Sequence, residues 1–120
     1  MRVLLVEDDP MNVTLFVDVL EAAGHDVTVA NDGPRGRDLA LAGSYDLCIF
    51  DVHLPRLRGD DAVRQLRSAG VRGPIIALSS SALTAEIERG LAAGFDAYLT
   101  KPIAPNELRE VVRRFARPAA

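Results

Sequence analysis

The chain has 120 residues, 48% of them hydrophobic, and a net charge of −3, enough apolar material for one domain with its own core and too little chain for a second. The acidic balance excludes a general binder of nucleic-acid backbones, which needs a concentrated basic surface. The longest apolar runs fall far short of the ~20 residues that cross a bilayer and no signal-peptide pattern opens the chain, so a soluble cytoplasmic protein with no membrane partner is expected.

In chain order, the first apolar run is Val3 to Val6, and it leads into three acids, Glu7, Asp8 and Asp9. Asp9 before Pro10 predicts a capped helix start, and Val13, Phe16, Val17 and Leu20 give that helix one apolar face, with Gly24 to end it. The second run, Val27 to Ala30, ends in Asn31 and Asp32, and a second helix is expected to start after Gly33 at Pro34. The third run, Leu47 to Phe50, leads to Asp51 and holds Cys48. As the only cysteine, Cys48 permits no disulfide within the chain, and its apolar setting predicts a buried thiol in a reducing compartment. A third helix is expected near Gly59 and Asp60. The fourth run, Ile75 to Leu78, leads to Ser79, Ser80 and Ser81, with a helix near Thr84. The fifth, Ala97 to Leu99, leads to Lys101, the single lysine among 14 basic residues, followed by Pro102. Pro105 opens a last helix with Leu108, Val111, Val112 and Phe115 on one face, and Pro118 to Ala120 reads as a frayed tail after a domain of residues 1–117.

Five alternating strand and helix signals predict parallel pairing with right-handed crossovers, hence an α/β fold with a doubly wound five-stranded parallel sheet covered on both faces. In such sheets functional groups gather beyond the carboxyl ends of the strands. A strand order of 2-1-3-4-5 would bring together the ends that carry Glu7 and Asp8, Asp51, Ser79 and Lys101, with the second strand at an edge. Carboxylates placed together stay ionised only when a cation or hydrogen bonds compensate them, and an oxygen-only ligand set suits Mg2+. Asp8 and Asp51 are the candidate direct ligands, with Glu7 acting through water and the backbone carbonyl of His53 completing the set. A zinc site is excluded by the want of a second histidine nearby. A carboxylate in such a setting can act as nucleophile toward phosphorus, with Lys101 supplying an ammonium and Ser79 a hydroxyl donor to the transferred group.

Four stretches carry a resemblance over nearly the whole chain: VLLVEDDP at residues 3–10, YDLCIFDVHLPRLRG at 45–59, PIIALSS at 74–80 and GFDAYLTKPI at 94–103. As a set they resemble the receiver domains of two-component response regulators. The resemblance implies the flavodoxin-like (βα)5 fold with order 2-1-3-4-5, magnesium held by the acid pair Glu7 and Asp8, a phosphoacceptor at Asp51, a hydroxyl at Ser79, a lysine at Lys101 and a switch aromatic at Tyr98. It implies a signalling module with only intrinsic self-phosphorylation and dephosphorylation chemistry, served by a histidine kinase or histidine phosphotransfer protein. The expected downstream effector docks on the face of helix four, strand five and helix five, where Arg109, Arg113 and Arg114 offer ion-pair partners; a phosphorylation-dependent dimer is compatible with the same resemblance. Two departures stand out. The hydroxyl position more often holds threonine, and His53, two residues beyond the phosphoacceptor, is a candidate with Ser81 for tuning the phosphoryl lifetime. A phosphatase of the haloacid-dehalogenase type wants a second aspartate where this chain has His53, and a flavodoxin-like binding module wants a phosphate-cradling loop where strand one leads into acids, with no G-x-G-x-x-G pattern present. The short tail points to a single-domain regulator over a receiver excised from a larger protein.

Overall fold

The structure, a computed structural model, describes residues 1–115. The expected tail at Pro118 to Ala120 and the boundary at residue 117 lie outside the described residues. Five strands alternate with five helices: β1 Arg2–Val6, α1 Pro10–Ala22, β2 Asp26–Ala30, α2 Gly33–Ala42, β3 Leu47–Asp51, α3 Gly59–Ser68, β4 Ile75–Ser79, α4 Thr84–Ala93, β5 Ala97–Thr100 and α5 Pro105–Phe115. All neighbouring strands are parallel, in the order β2-β1-β3-β4-β5, with β2 at an edge as expected.

The period of two along each strand divides the core into two layers. Val3 and Leu5 of β1, Leu47 and Ile49 of β3, and Ile76 and Leu78 of β4 face α1 and α5, where they meet Phe16, Leu20, Leu108 and Val112. Leu4 and Val6, Cys48 and Phe50, and Ile75 and Ala77 face the other way, against Ala62, Val63, Leu66 and Phe95. The three central strands are therefore apolar on both faces between their polar ends, whereas edge strand β2 is only half-buried.

Helix starts follow local chemistry. The Asp9 carboxylate accepts from Met11 N at 3.0 Å and caps α1, and the Asp32 carboxylate accepts from Arg35 N at 2.8 Å and caps α2 one residue earlier than Pro34 suggested. Gly24, with φ +92°, follows the last turn of α1 as a left-handed stop. At the amino-terminal end of β4 the Arg67 guanidinium of α3 donates to the carbonyls of Val71, Gly73 and Gly94 and pairs with the Asp96 carboxylate at 2.9 Å. Asp96 in turn accepts from Ile75 N at 2.8 Å.

Burial pushes the Cys48 thiol up to about 12, because the thiolate would be stripped of water. Since only the thiolate attacks, the folded protein is expected to leave a disulfide reagent such as Ellman's unreacted at pH 8, and to react once in denaturant. A stoichiometric reaction of the native chain at the rate of a free thiol would contradict the burial of Cys48.

Candidate functional site

The carboxyl ends of β1, β3, β4 and β5 meet at one edge of the sheet. Glu7 follows β1 and is fully buried; Asp51 ends β3 at 4% exposure; Ser79 ends β4, fully buried; Lys101 follows β5. The strand registers bring them together: Val6 pairs with Phe50, Asp51 with Leu78, and Ser79 with Thr100. Lys101 N donates to Ser79 O at 2.7 Å, which draws the lysine backbone onto the end of β4.

Lys101 is the electrostatic centre. Its ammonium donates to Asp51 Oδ2 at 2.7 Å and forms an ion pair with Glu7 Oε1, also at 2.7 Å. Burial alone would lower the lysine pKa, but its hydrogen bonds with Asp51 and Glu7 outweigh that and hold it above the ordinary value. For Glu7, burial is the largest influence and raises the pKa; Lys101 and the backbone N–H of Asp9 oppose it. The second oxygen of each carboxylate is held by backbone. Glu7 Oε2 accepts from Asp8 N and Asp9 N at 3.0 and 3.1 Å, and Asp51 Oδ1 accepts from His53 N at 2.9 Å.

Asp8 is exposed at the mouth, and carboxylate oxygens of Glu7, Asp8 and Asp51 lie within 4.8 Å of one another. Three carboxylates against one ammonium leave an excess of negative charge, and all three offer hard oxygen donors, the set that suits Mg2+ or a similar cation. The donor chemistry therefore fits a divalent metal. Asp9 stands apart as the cap of α1. The His53 imidazole also stands apart: its Nε2 lies 4.0 Å from Glu86 Oε2 and its Nδ1 3.5 Å from Arg58 Nη1.

Ser79 Oγ accepts from Ser81 N at 3.1 Å, which ties the hydroxyl to the turn after β4. Of the three serines only Ser79 is buried on the strand itself, in agreement with the register read from the preceding apolar run. Tyr98 on β5 is half-buried over Gly90 of α4, where an added Cβ would stand 3.1 Å from its ring, and its hydroxyl is buried without a hydrogen-bond partner. Two of the α5 arginines expected to offer pairing groups are engaged within their own helix, Arg113 with Glu110 and Arg109 with Asn106. Among the described residues no helix is long and apolar enough to cross a membrane.

Residues 3–113 match the family described as the response regulator receiver domain. The chain belongs to that family. The receiver domain is 40% identical over 120 residues to the transcriptional regulatory protein CusR of Escherichia coli K12, covering all of this chain and 53% of CusR. It is 29% identical over 116 residues to the sensor histidine kinase RcsC of Salmonella typhi, covering 97% of this chain and 12% of RcsC. The chain thus spans about half the length of the transcriptional regulators it matches. Among solved structures, the receiver domain of the Francisella response regulator 1452 matches with a TM-score of 0.91 at 33% identity, over 96% of this chain and 95% of that one. The receiver domain of sensor histidine kinase PA1611 from Pseudomonas aeruginosa PAO1, whose structure has a magnesium ion coordinated in the active site cleft, matches with a TM-score of 0.89 at 38% identity over 96% of each chain. These matches make the receiver domain a two-component signalling module of flavodoxin-like architecture.

The residue that sequence reasoning passed over is Asp60, read only as a helix start. It is 1% exposed and holds Arg58 and Arg89. A signal was present: Asp60 lies three residues before Val63 and six before Leu66, on the apolar stripe of α3.

Proposed function

We propose that this receiver domain accepts a phosphoryl group on Asp51 and changes its surface in response. The observation that supports it most directly is a buried carboxylate at a strand end with one oxygen held by His53 N and the other by the Lys101 ammonium. That pairing keeps Asp51 oriented, and the protein's ammonium stands ready beside the oxygens that a transferred phosphoryl group would bring. In the step itself an Asp51 oxygen forms the bond to phosphorus while the bond from phosphorus to the donor's leaving group breaks, its electron pair going with that group. Glu7, Asp8 and Asp51, with the carbonyl of His53, would hold a magnesium ion. Bound there, it supplies positive charge against the transferring group. Ser79 donates its hydroxyl to a phosphoryl oxygen while its own oxygen accepts from Ser81 N, so the hydroxyl links the phosphoryl group to the turn after β4.

The phosphodonor is a histidine kinase or a histidine phosphotransfer protein, and the effector meets α4, β5 and α5, where a hollow is lined by Ile87, Leu91, Tyr98 and Val111. Tyr98, already seated over Gly90, is the aromatic whose position would report the state of the β4 turn. Incubation with magnesium and acetyl phosphate followed by intact-mass measurement tests the reading. One phosphoryl adduct is expected, dependent on magnesium and missing from Asp51→Asn; an adduct that survives in Asp51→Asn would move the acceptor elsewhere.

A further inference from the structure

Asp60 is a buried carboxylate that the phosphoryl chemistry does not use. It sits in the first turn of α3 among Gly59, Ala62, Val63 and Leu66, all buried, a place where an unpaired charge is costly. Its two oxygens serve two different elements. Oδ1 accepts from Arg58 Nε and from Asp61 N, both at 3.1 Å. Oδ2 pairs with Arg89 Nε of α4 at 3.0 Å. The helix dipole favours an anion in this first turn; it does not call for an arginine from another helix.

Contacts continue from Arg58, and separately from α4, to the loop beside the phosphoacceptor. Arg58 Nη1 lies 3.5 Å from His53 Nδ1, and the His53 backbone N–H is bonded to Asp51 Oδ1 at 2.9 Å. From α4, Glu86 reaches the other nitrogen of the same imidazole at 4.0 Å. Helix α4 has few competing anchors: only Gly90 and Ala93 are buried, and its amino-terminus lacks a side-chain cap. Its far end is secured separately, by Arg67 on the Gly94 carbonyl. With its last turn tied by Arg67, α4 meets α3 through the Asp60–Arg89 ion pair at mid-helix, so that pair bears on where the preceding turns lie.

We propose that Asp60, together with Arg58 and Arg89, is a positioning residue that clasps the middle of α4 to the loop carrying His53, so that the state of that loop sets where α4 lies. The role in signalling rests on Asp51 being the phosphoacceptor. In this reading the clasped arrangement is the resting one, so loosening the contacts shifts the population toward the phosphorylation-competent one.

Two substitutions separate positioning from simple stability. Arg89→Gln changes a half-exposed side chain and removes the α4 half of the clasp. Asp60→Leu completes the apolar stripe of α3, and the two arginines it leaves are part-exposed, so solvent can take up the charges that removing one partner would otherwise strand. Both variants are expected to be labelled by acetyl phosphate about fivefold faster than the parent, a typical size for coupling between sites. The double variant should be labelled no faster than Asp60→Leu, because both changes cut one link. Arg89→Gln should also move the amide resonances of Val52 and His53 in the unphosphorylated protein. Labelling rates equal to the parent's would overturn the proposal whatever the stabilities. If the parent takes no label at all, the phosphoacceptor reading fails; the clasp then stands if Arg89→Gln moves the two amides and falls if they are unmoved. Should Asp60→Leu fail to fold, Arg89→Gln decides by the same readouts.

Discussion

Lys101→Met is expected to lower the unfolding free energy by about 2–3 kcal/mol at pH 8 in the presence of a chelator, somewhat below the usual cost of removing one partner from a buried ion pair because a carboxyl can take up a proton. The lysine is the only cation within ion-pair distance of Glu7 and Asp51 among the described residues, 2.7 Å from an oxygen of each. Methionine keeps the length of the stem and leaves two buried carboxylates facing one another. The Glu7 carboxyl already lies above the ordinary carboxylate value, through burial first, and Lys101 is what opposes that rise. Without the lysine it rises further. A carboxyl whose folded-state pKa exceeds its unfolded value contributes stability below the unfolded value and loses it as pH climbs through the folded one. The gap between parent and variant should therefore widen from pH 5 to pH 8. Urea unfolding at both values, with chelator, measures it, and equal stabilities at pH 8 would mean that some other group compensates the pair. The same variant should show no phosphoryl adduct by intact mass.

Gly59→Ala is expected to cost about 3 kcal/mol, at the upper end of what overpacking a close-packed site usually does. A Cβ at Gly59 would lie 2.1 Å from the Asp51 carbonyl oxygen, 2.9 Å from its carbon and 3.0 Å from Val52 Cα. All three atoms are backbone, so no side chain can swing aside; α3 or the end of β3 must move. Gly59 N also donates to Val52 O at 2.8 Å, the bond that folds the loop back on the strand. Because the displaced strand end carries Asp51, labelling by acetyl phosphate should slow together with the fall in urea midpoint. A variant within about 0.5 kcal/mol of the parent, the range of ordinary surface changes, would contradict the close approach.

The sheet was legible because each central strand is a short uninterrupted apolar run whose last residue changes character, and parallel pairing then brings Glu7, Asp51, Ser79 and Lys101 to one edge without further information. The start of α1 was legible where Asp9 precedes Pro10, whereas at α2 the expected start at Pro34 passed over the Asp32 cap and fell one residue late. What local pattern does not carry is the pairing of charges distant in sequence. Asp60 finds Arg89, and Arg67 finds Gly94 and Asp96, through the packing of α3 on α4, so each looked like one more charged residue on a helix surface. The α5 arginines show the converse. The resemblance named them as pairing groups on the output face, and in the structure Arg113 pairs with Glu110 three residues before it on the exposed side of α5. The seat of Tyr98 over Gly90 likewise depends on where α4 lies, which no periodicity in β5 reveals.

The Arg67 guanidinium gathers the carbonyls of Val71, Gly73 and Gly94 and the carboxylate of Asp96 around a single planar group. The connection from α3 to β4 contains Gly70 and Gly73 and lies on the surface, features that ordinarily mark a segment open to insertion or proteolytic cutting. Here its backbone carbonyls are spent on one side chain that also closes the turn between α4 and β5. Lengthening either turn would unseat the guanidinium from both, so of the surface connections in this fold, these two are poor places to graft a tag or split the chain.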